Sequence, residues 1–200
     1  MASSATRHDT MEAFLDAAEQ LLVTEGYAGV TVRRLADQAG ANHGLVHYYF
    51  GSMEDLFLRV LERFTGRLIV RQRQMYEGDG PFIDKWRQAM RYLDEDFASG
   101  YQKIWFELQA MAWNHPEMRE RVAQVNAEWR EVLTETFTRA LDDYALDDTR
   151  FPVAAMVSLV YTFSQGIMLE RLTGVSAGHR ELLAVIDREL EALEAQRGNR

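Results

Sequence analysis

The chain has no cysteine among its 200 residues. Disulfides and thiolate metal sites are therefore excluded, which fits a reducing compartment. Proline is sparse, three in all, and each falls where a helical pattern is interrupted: Pro81, Pro116 and Pro152. Strand-like alternation and internal repeats are missing. The start, MASSATRHDTMEAF, lacks the basic opening and apolar run of a signal peptide, so a cytoplasmic location is expected. Catalytic signatures are also missing. There is no H-E-x-x-H and no G-x-S-x-G. A Glu-x-x-His pair is excluded, because the residues three before the five histidines are Ala5, Gly40, Gly44, Ala112 and Ser176. No phosphate-binding loop occurs. The expectation is a protein that is not an enzyme and that holds no metal and no cofactor. Glu107 and Glu170 sit on apolar helices, where binding a ligand or pairing with an arginine such as Arg171 is expected.

Basic charge is scarce too. The net charge is −9, which argues against non-specific attraction to nucleic acid. Residues 1–52 hold three arginines (Arg7, Arg33, Arg34) against six acids. Any contact with DNA must then depend on where single cations stand.

What is present is helical periodicity throughout, so the fold class is all-α. The densest information lies in VTVRRLADQAGANHGLVHYYFGSMEDLF, Val30 to Phe57. Thr31 can cap a helix with Val32, Leu35, Ala36 and Ala39 on one face, and Val30 is placed to staple onto Leu35. Gly40 ends that helix. Asn42 is a second N-cap, and Leu45, Val46 and Tyr49 turn back toward the first helix. Ser52 caps the next helix, with Asp55 three residues on. Two short helices joined by a glycine turn are either a plain helical hairpin or a helix-turn-helix, whose second helix enters the DNA major groove. His43, Gly44, His47 and Tyr48 fall on the outward face, where a packed hairpin would show Lys and Glu, and this favours the second reading.

These residues resemble the DNA-binding domain of the TetR family of bacterial transcriptional regulators. The resemblance is carried by Phe14, Ala17, Ala18, Gly26-Tyr27, Thr31-Val32, Leu35-Ala36, Ala39-Gly40, Gly44 to Phe50, Ser52, Glu54 and Leu56, over about residues 7–60. Two positions depart from it. Met53 stands where the family often has a phosphate-contacting lysine, and His47 stands where it often has tyrosine. The resemblance implies a helix-turn-helix domain over residues 1–52, with Arg33, Asn42, His43, Leu45, His47 and Tyr48 at the DNA. Arg33 and His47 are expected on phosphate, and His43, Leu45 and Tyr48 on bases. Residues 53–200 would form the effector-binding and dimerisation part, entered through a connecting helix at 53–76.

Beyond Gly78-Asp79-Gly80-Pro81 the pattern gives helices near 82–98, 101–113, 117–141, 152–172 and 179–194. Residues 151–169 carry no charge over nineteen positions. A membrane span needs about that length, but Pro152, Ser158, Thr162, Ser164, Gln165 and Gly166 dilute the apolarity. The expected role is instead to meet a second copy, together with the last helix, in a four-helix dimer interface. Trp86, Met90, Trp105, Gln109, Trp113, Trp129, Tyr161, Thr162 and Gln165 are the candidate effector contacts. Each could equally fill a core, and a cavity is what the resemblance implies. The function expected is a homodimeric repressor released from a palindromic operator by a small apolar or amphipathic effector. The alternatives are a regulator without a small effector and a helical carrier with a vestigial head.

Overall fold

The computed structural model describes residues 4–198. Among them are nine α-helices and one 3-10 turn, and no strand. The helices are α1 (Ser4–Glu25), α2 (Val32–Ala39), α3 (Gly44–Phe50), α4 (Met53–Glu77), α5 (Phe82–Ala98), α6 (Tyr101–Ala112), α7 (Pro116–Tyr144), α8 (Val153–Leu172) and α9 (His179–Gly198), with the 3-10 turn at Tyr27–Gly29. The chain forms two compact units, Met1–Arg67 with Ala98–Val125, and Leu68–Phe97 with Asn126–Arg200. Both α4 and α7 contribute to each unit.

In the first unit, α1 buries Phe14, Leu15, Ala18, Leu21 and Leu22, one stripe at spacings of three and four. Phe14 is fully buried, and its ring meets Tyr49 and Phe50 of α3 at 6.3 and 6.2 Å. Burying such a ring contributes about 2–3 kcal/mol. Leu35 and Ala36 of α2, Val46 and Phe50 of α3, and Leu56, Phe57, Val60 and Leu61 of α4 are all buried. The end of α1 is gripped by α6. Glu107 Oε2 accepts from the Tyr27 N–H at 2.8 Å, and Lys103 donates to the Val23 carbonyl at 3.2 Å. Glu107 therefore serves a backbone amide in this unit.

In the second unit Ile69, Tyr76, Ala89 and Val132 form a buried cluster, with Met75, Met90 and Trp129 packed on it. The later half of α4, where the sequence offers few core residues, is better anchored than its pattern suggests. Arg71 reaches Asp96 at 2.6 Å, and Arg73 reaches Glu135 at 2.7 Å and Glu131 at 2.9 Å. The helix α9 buries no residue fully. It is held by a fork from Arg87 of α5 to Asp187, at 2.8 and 2.7 Å, with Glu191 at 2.6 Å. Glu170 pairs with His179 at 2.5 Å, and Arg171, the arginine considered as a partner for Glu107 or Glu170, is taken by Asp94 at 2.7 Å.

Helix α7 runs three residues past its expected end, to Tyr144. Helix α8 is long and apolar enough to cross a membrane by length and composition, and 17% of its most apolar window is buried.

Candidate nucleic-acid interface

The turn between α2 and α3 is built from local chemistry. Thr31, in extended backbone, accepts from the Arg34 amide at 3.3 Å and caps α2. Gly40 ends α2 at φ 62, ψ 31, the left-handed conformation that favours glycine, and its N–H returns to the Ala36 carbonyl. The expected cap at Asn42 is displaced by one residue. His43 is the N-cap by position, at φ −56, with no side-chain bond, while Asn42 Oδ1 accepts from the Gly44 N–H at 2.8 Å. Asn42 thus closes an Asx turn ahead of the helix. Ser52 and Asp55 form the expected box-like pair, both bonds running through the Ser52 hydroxyl. The Asp55 amide donates to Ser52 Oγ at 3.0 Å and the hydroxyl lies 3.2 Å from Asp55 Oδ2.

Val46 and Phe50 hold α3 down, and His43, Gly44, His47 and Tyr48 stand exposed along its other side. Leu45 is half-buried between these faces. Tyr48 is 62% exposed, which is much for an apolar ring without a partner surface. The guanidinium of Arg7 lies 5.1 Å over the Tyr48 ring and 6.0 Å over Tyr49. Arg7 lies within α1, and nothing local in the sequence signals that it would meet α3. Between α2 and α3 lies an open hollow of about 490 Å³ lined by Val32, Arg33, Ala36, Asp37, Ala41, Asn42 and His43.

The two arginines that open α2 have different fates. Arg34 forks onto Glu25 and donates to the Gly29 carbonyl at 3.2 Å. Its hydrogen bonds to Glu25 hold its pKa above the usual arginine value, against some desolvation. Arg33 is 92% exposed, with only Asp37 at 4.0 Å, and is the cation of α2 presented to a ligand.

The acidic excess of the head is largely answered from outside it. Arg63 binds Glu12, Asp16 and Glu19 at 2.9, 2.8 and 2.8 Å, and Arg67 binds Glu19 at 2.8 Å. Burial opposes the Arg63 charge, and these carboxylates outweigh it, so its pKa is raised. Glu12, Asp16 and Glu19 of α1 are thus paired with α4, and Glu25 with Arg34 of α2.

A family model for "Bacterial regulatory proteins, tetR family" matches residues 14–60. A second, "BetI-type transcriptional repressor, C-terminal", matches residues 87–195, more than half the chain. The chain belongs to the TetR family. It is a DNA-binding transcription regulator with a helix-turn-helix domain followed by a helical C-terminal region. Among curated relatives, the repressor AcnR of Corynebacterium glutamicum is 22% identical over 90% of this chain and 91% of its own. The repressor NicS of Pseudomonas putida is 38% identical over 58% of this chain and 48% of its own. Among solved structures, the regulator FadR from Bacillus subtilis in complex with stearoyl-CoA has a TM-score of 0.72 at 17% identity, covering 91% of this chain and 96% of that one. These relatives are regulators rather than enzymes.

The candidate effector residues are distributed over both units. Trp105, 2% exposed, Gln109 and Trp113 belong to the first, and Trp113 is 74% exposed at the end of α6. The second unit holds the rest. Met90 and Trp129 meet on one cluster, and Trp86 is buried with its ring 6.2 Å from Phe163. Tyr161 donates to Asn126 and lies under Arg130 at 5.1 Å. Thr162 is exposed and Gln165 half-buried.

Proposed function

We propose that this TetR-family regulator is a homodimeric repressor that binds a palindromic operator and is released by a small apolar or amphipathic effector. The observation that carries the reading is the outward face of α3. His43, Gly44, His47 and Tyr48 stand clear of the core beside the exposed cation Arg33. In this reading residues 1–52 are the head, with Arg33 and His47 on phosphate and His43, Leu45 and Tyr48 at base edges, while Asn42 shapes the turn.

Dimerisation is assigned to α8 and α9. Leu159, Leu169, Leu172, Leu182 and Val185 are 68, 51, 40, 42 and 46% exposed. An exposed apolar set on two adjacent elements is what a partner surface needs, and a two-fold axis there presents two heads to two half-sites. The effector is assigned to Trp86, Met90, Trp129, Tyr161, Thr162 and Gln165, with Trp105, Gln109 and Trp113 as further candidates. An effector acts only through its better affinity for the released state. Long-chain acyl compounds are the first to try, given the stearoyl-CoA of the Bacillus subtilis neighbour.

The test is selection from a random duplex pool with the purified protein. An enriched palindrome is expected, and it supplies the probe for a release screen. A folded, dimeric protein that enriches nothing, before and after unfolding and refolding to strip bound ligand, would remove the DNA reading in favour of a carrier.

A further inference from the structure

His47 stands in the last turn of α3 with its side chain in solvent, yet its ring is oriented. Nδ1 lies 3.1 Å from the carbonyl oxygen of Gly51. A carbonyl only accepts, so Nδ1 carries the hydrogen. The Gly51 N–H returns to the His47 carbonyl at 2.9 Å. Side chain and main chain of His47 therefore close two bonds on one glycine, which leaves the helix at φ 77.

The tautomer has a consequence at the DNA. A neutral ring with its hydrogen on Nδ1 presents Nε2 as a bare acceptor. A phosphate oxygen is an acceptor as well, so the two have no hydrogen to share. The phenol that the family often carries here donates at any pH well below about 10. His47, with Nδ1 committed, donates outward only after Nε2 gains a proton.

We propose that His47 grips operator phosphate only as the imidazolium. Each head then takes up a proton on binding, and operator affinity falls as pH rises through the histidine range, without an effector. This rests on the reading of α3 as the DNA-contacting helix.

Charged and titratable groups stand on α3 itself and on the neighbouring parts of α1, α2 and α4. On α3 itself they are His43, one turn earlier, Tyr48 and Tyr49. From α1 comes Arg7, stacked on the Tyr48 ring. From α2 come Arg33 and Asp37, 4.0 Å apart. The first turn of α4 brings Glu54 and Asp55, the latter bound to Arg121 at 3.0 Å, and Arg59 lies over Phe50 at 5.6 Å.

The experiment measures affinity for the selected operator from about pH 5.5 to about 8.5, which brackets imidazole titration, at fixed ionic strength. The full-length protein, His47→Tyr, His47→Gln and His43→Asn are compared. The buffer dependence of the binding heat at one pH counts the protons taken up by the unaltered protein. The expected result is weakening that approaches about tenfold per pH unit per head at the alkaline end. It should be largely lost in both His47 variants, kept in His43→Asn, and matched by net proton uptake. Tight, pH-independent binding by the unaltered protein would overturn the proposal and leave the DNA reading intact. A slope unchanged in His47→Tyr would overturn it equally. Failure to bind any duplex at any pH would overturn both.

Discussion

At the scale of single residues, the interface depends on which polar groups are left uncommitted. Arg34 is consumed by Glu25 and Gly29, whereas its neighbour Arg33 faces solvent. Replacing Arg33 with alanine should weaken every duplex alike and lower the salt slope by about one. Replacing His43 should relax sequence preference at one position, costing about 1–3 kcal/mol against the preferred base. Binding of a panel of duplexes over a salt series separates the two, and equal loss of preference in both variants would refute the division of roles. Gly26 offers a test of the scaffold. Its φ is 74 and its ψ 179, and a Cβ there would lie 2.8 Å from Glu107 Oε1, an oxygen whose carboxylate is tied to the Tyr27 amide. Gly26→Ala should destabilise the first unit by about 1–3 kcal/mol, read as a lower denaturant midpoint.

At the scale of elements, α3 and α9 contrast. Only seven residues long, α3 could not persist alone. It is held by Val46 and Phe50, inserted between α1 and α4. The twenty-residue α9 has no fully buried residue; it half-buries Leu183, Ile186, Leu190 and Leu193 and adds polar attachment to its own unit. Single exposed ion pairs contribute little, but Arg87 makes a bidentate fork and a third bond, the geometry that gives such pairs their strength. Arg87→Ala should speed amide exchange across α9 several-fold while leaving α1 to α3 unchanged. The pH response has a definite sign. The Arg87 guanidinium holds the Asp187 carboxyl below its ordinary value. The attachment is therefore complete above the ordinary carboxylate range and is lost as pH falls through the lowered value. Protection of the α9 amides, taken relative to the intrinsic exchange rate at each pH, should fall on acidification and be less pH-sensitive in Arg87→Ala.

At the scale of the whole molecule, the single chain leaves Leu159, Leu169 and Leu172 of α8 and Leu182 and Val185 of α9 exposed. Leu159 is its most exposed leucine. Leu159→Arg should give a monomer in sedimentation, and operator affinity should fall by at least about a hundredfold as the two half-sites are no longer engaged together. An unchanged dimer would place the interface elsewhere. The net charge of −9 works at this scale as well. It suppresses non-specific attraction, so binding should depend on local contacts and fall steeply on unrelated sequence.

The sequence by itself determined the helices, their caps and the outward face of α3. Thr31, Gly40 and the Ser52–Asp55 box act within a few residues of their partners, and the periodicity of Phe14 to Leu22 reports burial directly. Tertiary structure alone decided the pairings across long separations. Arg63 with Glu12 and Glu19, Arg7 with Tyr48, and Glu107 with the Tyr27 amide leave no mark in local pattern. They follow from which helices lie side by side. One cap was misplaced by a local competition rather than by tertiary structure: the Asn42 side chain took the Gly44 amide two residues on, and the cap moved to His43. The charge count of the head could be read from composition. That three of its six acids are bound by α4 and a fourth by Arg34, leaving Arg33 as the exposed cation of α2, became visible only when the chain was folded.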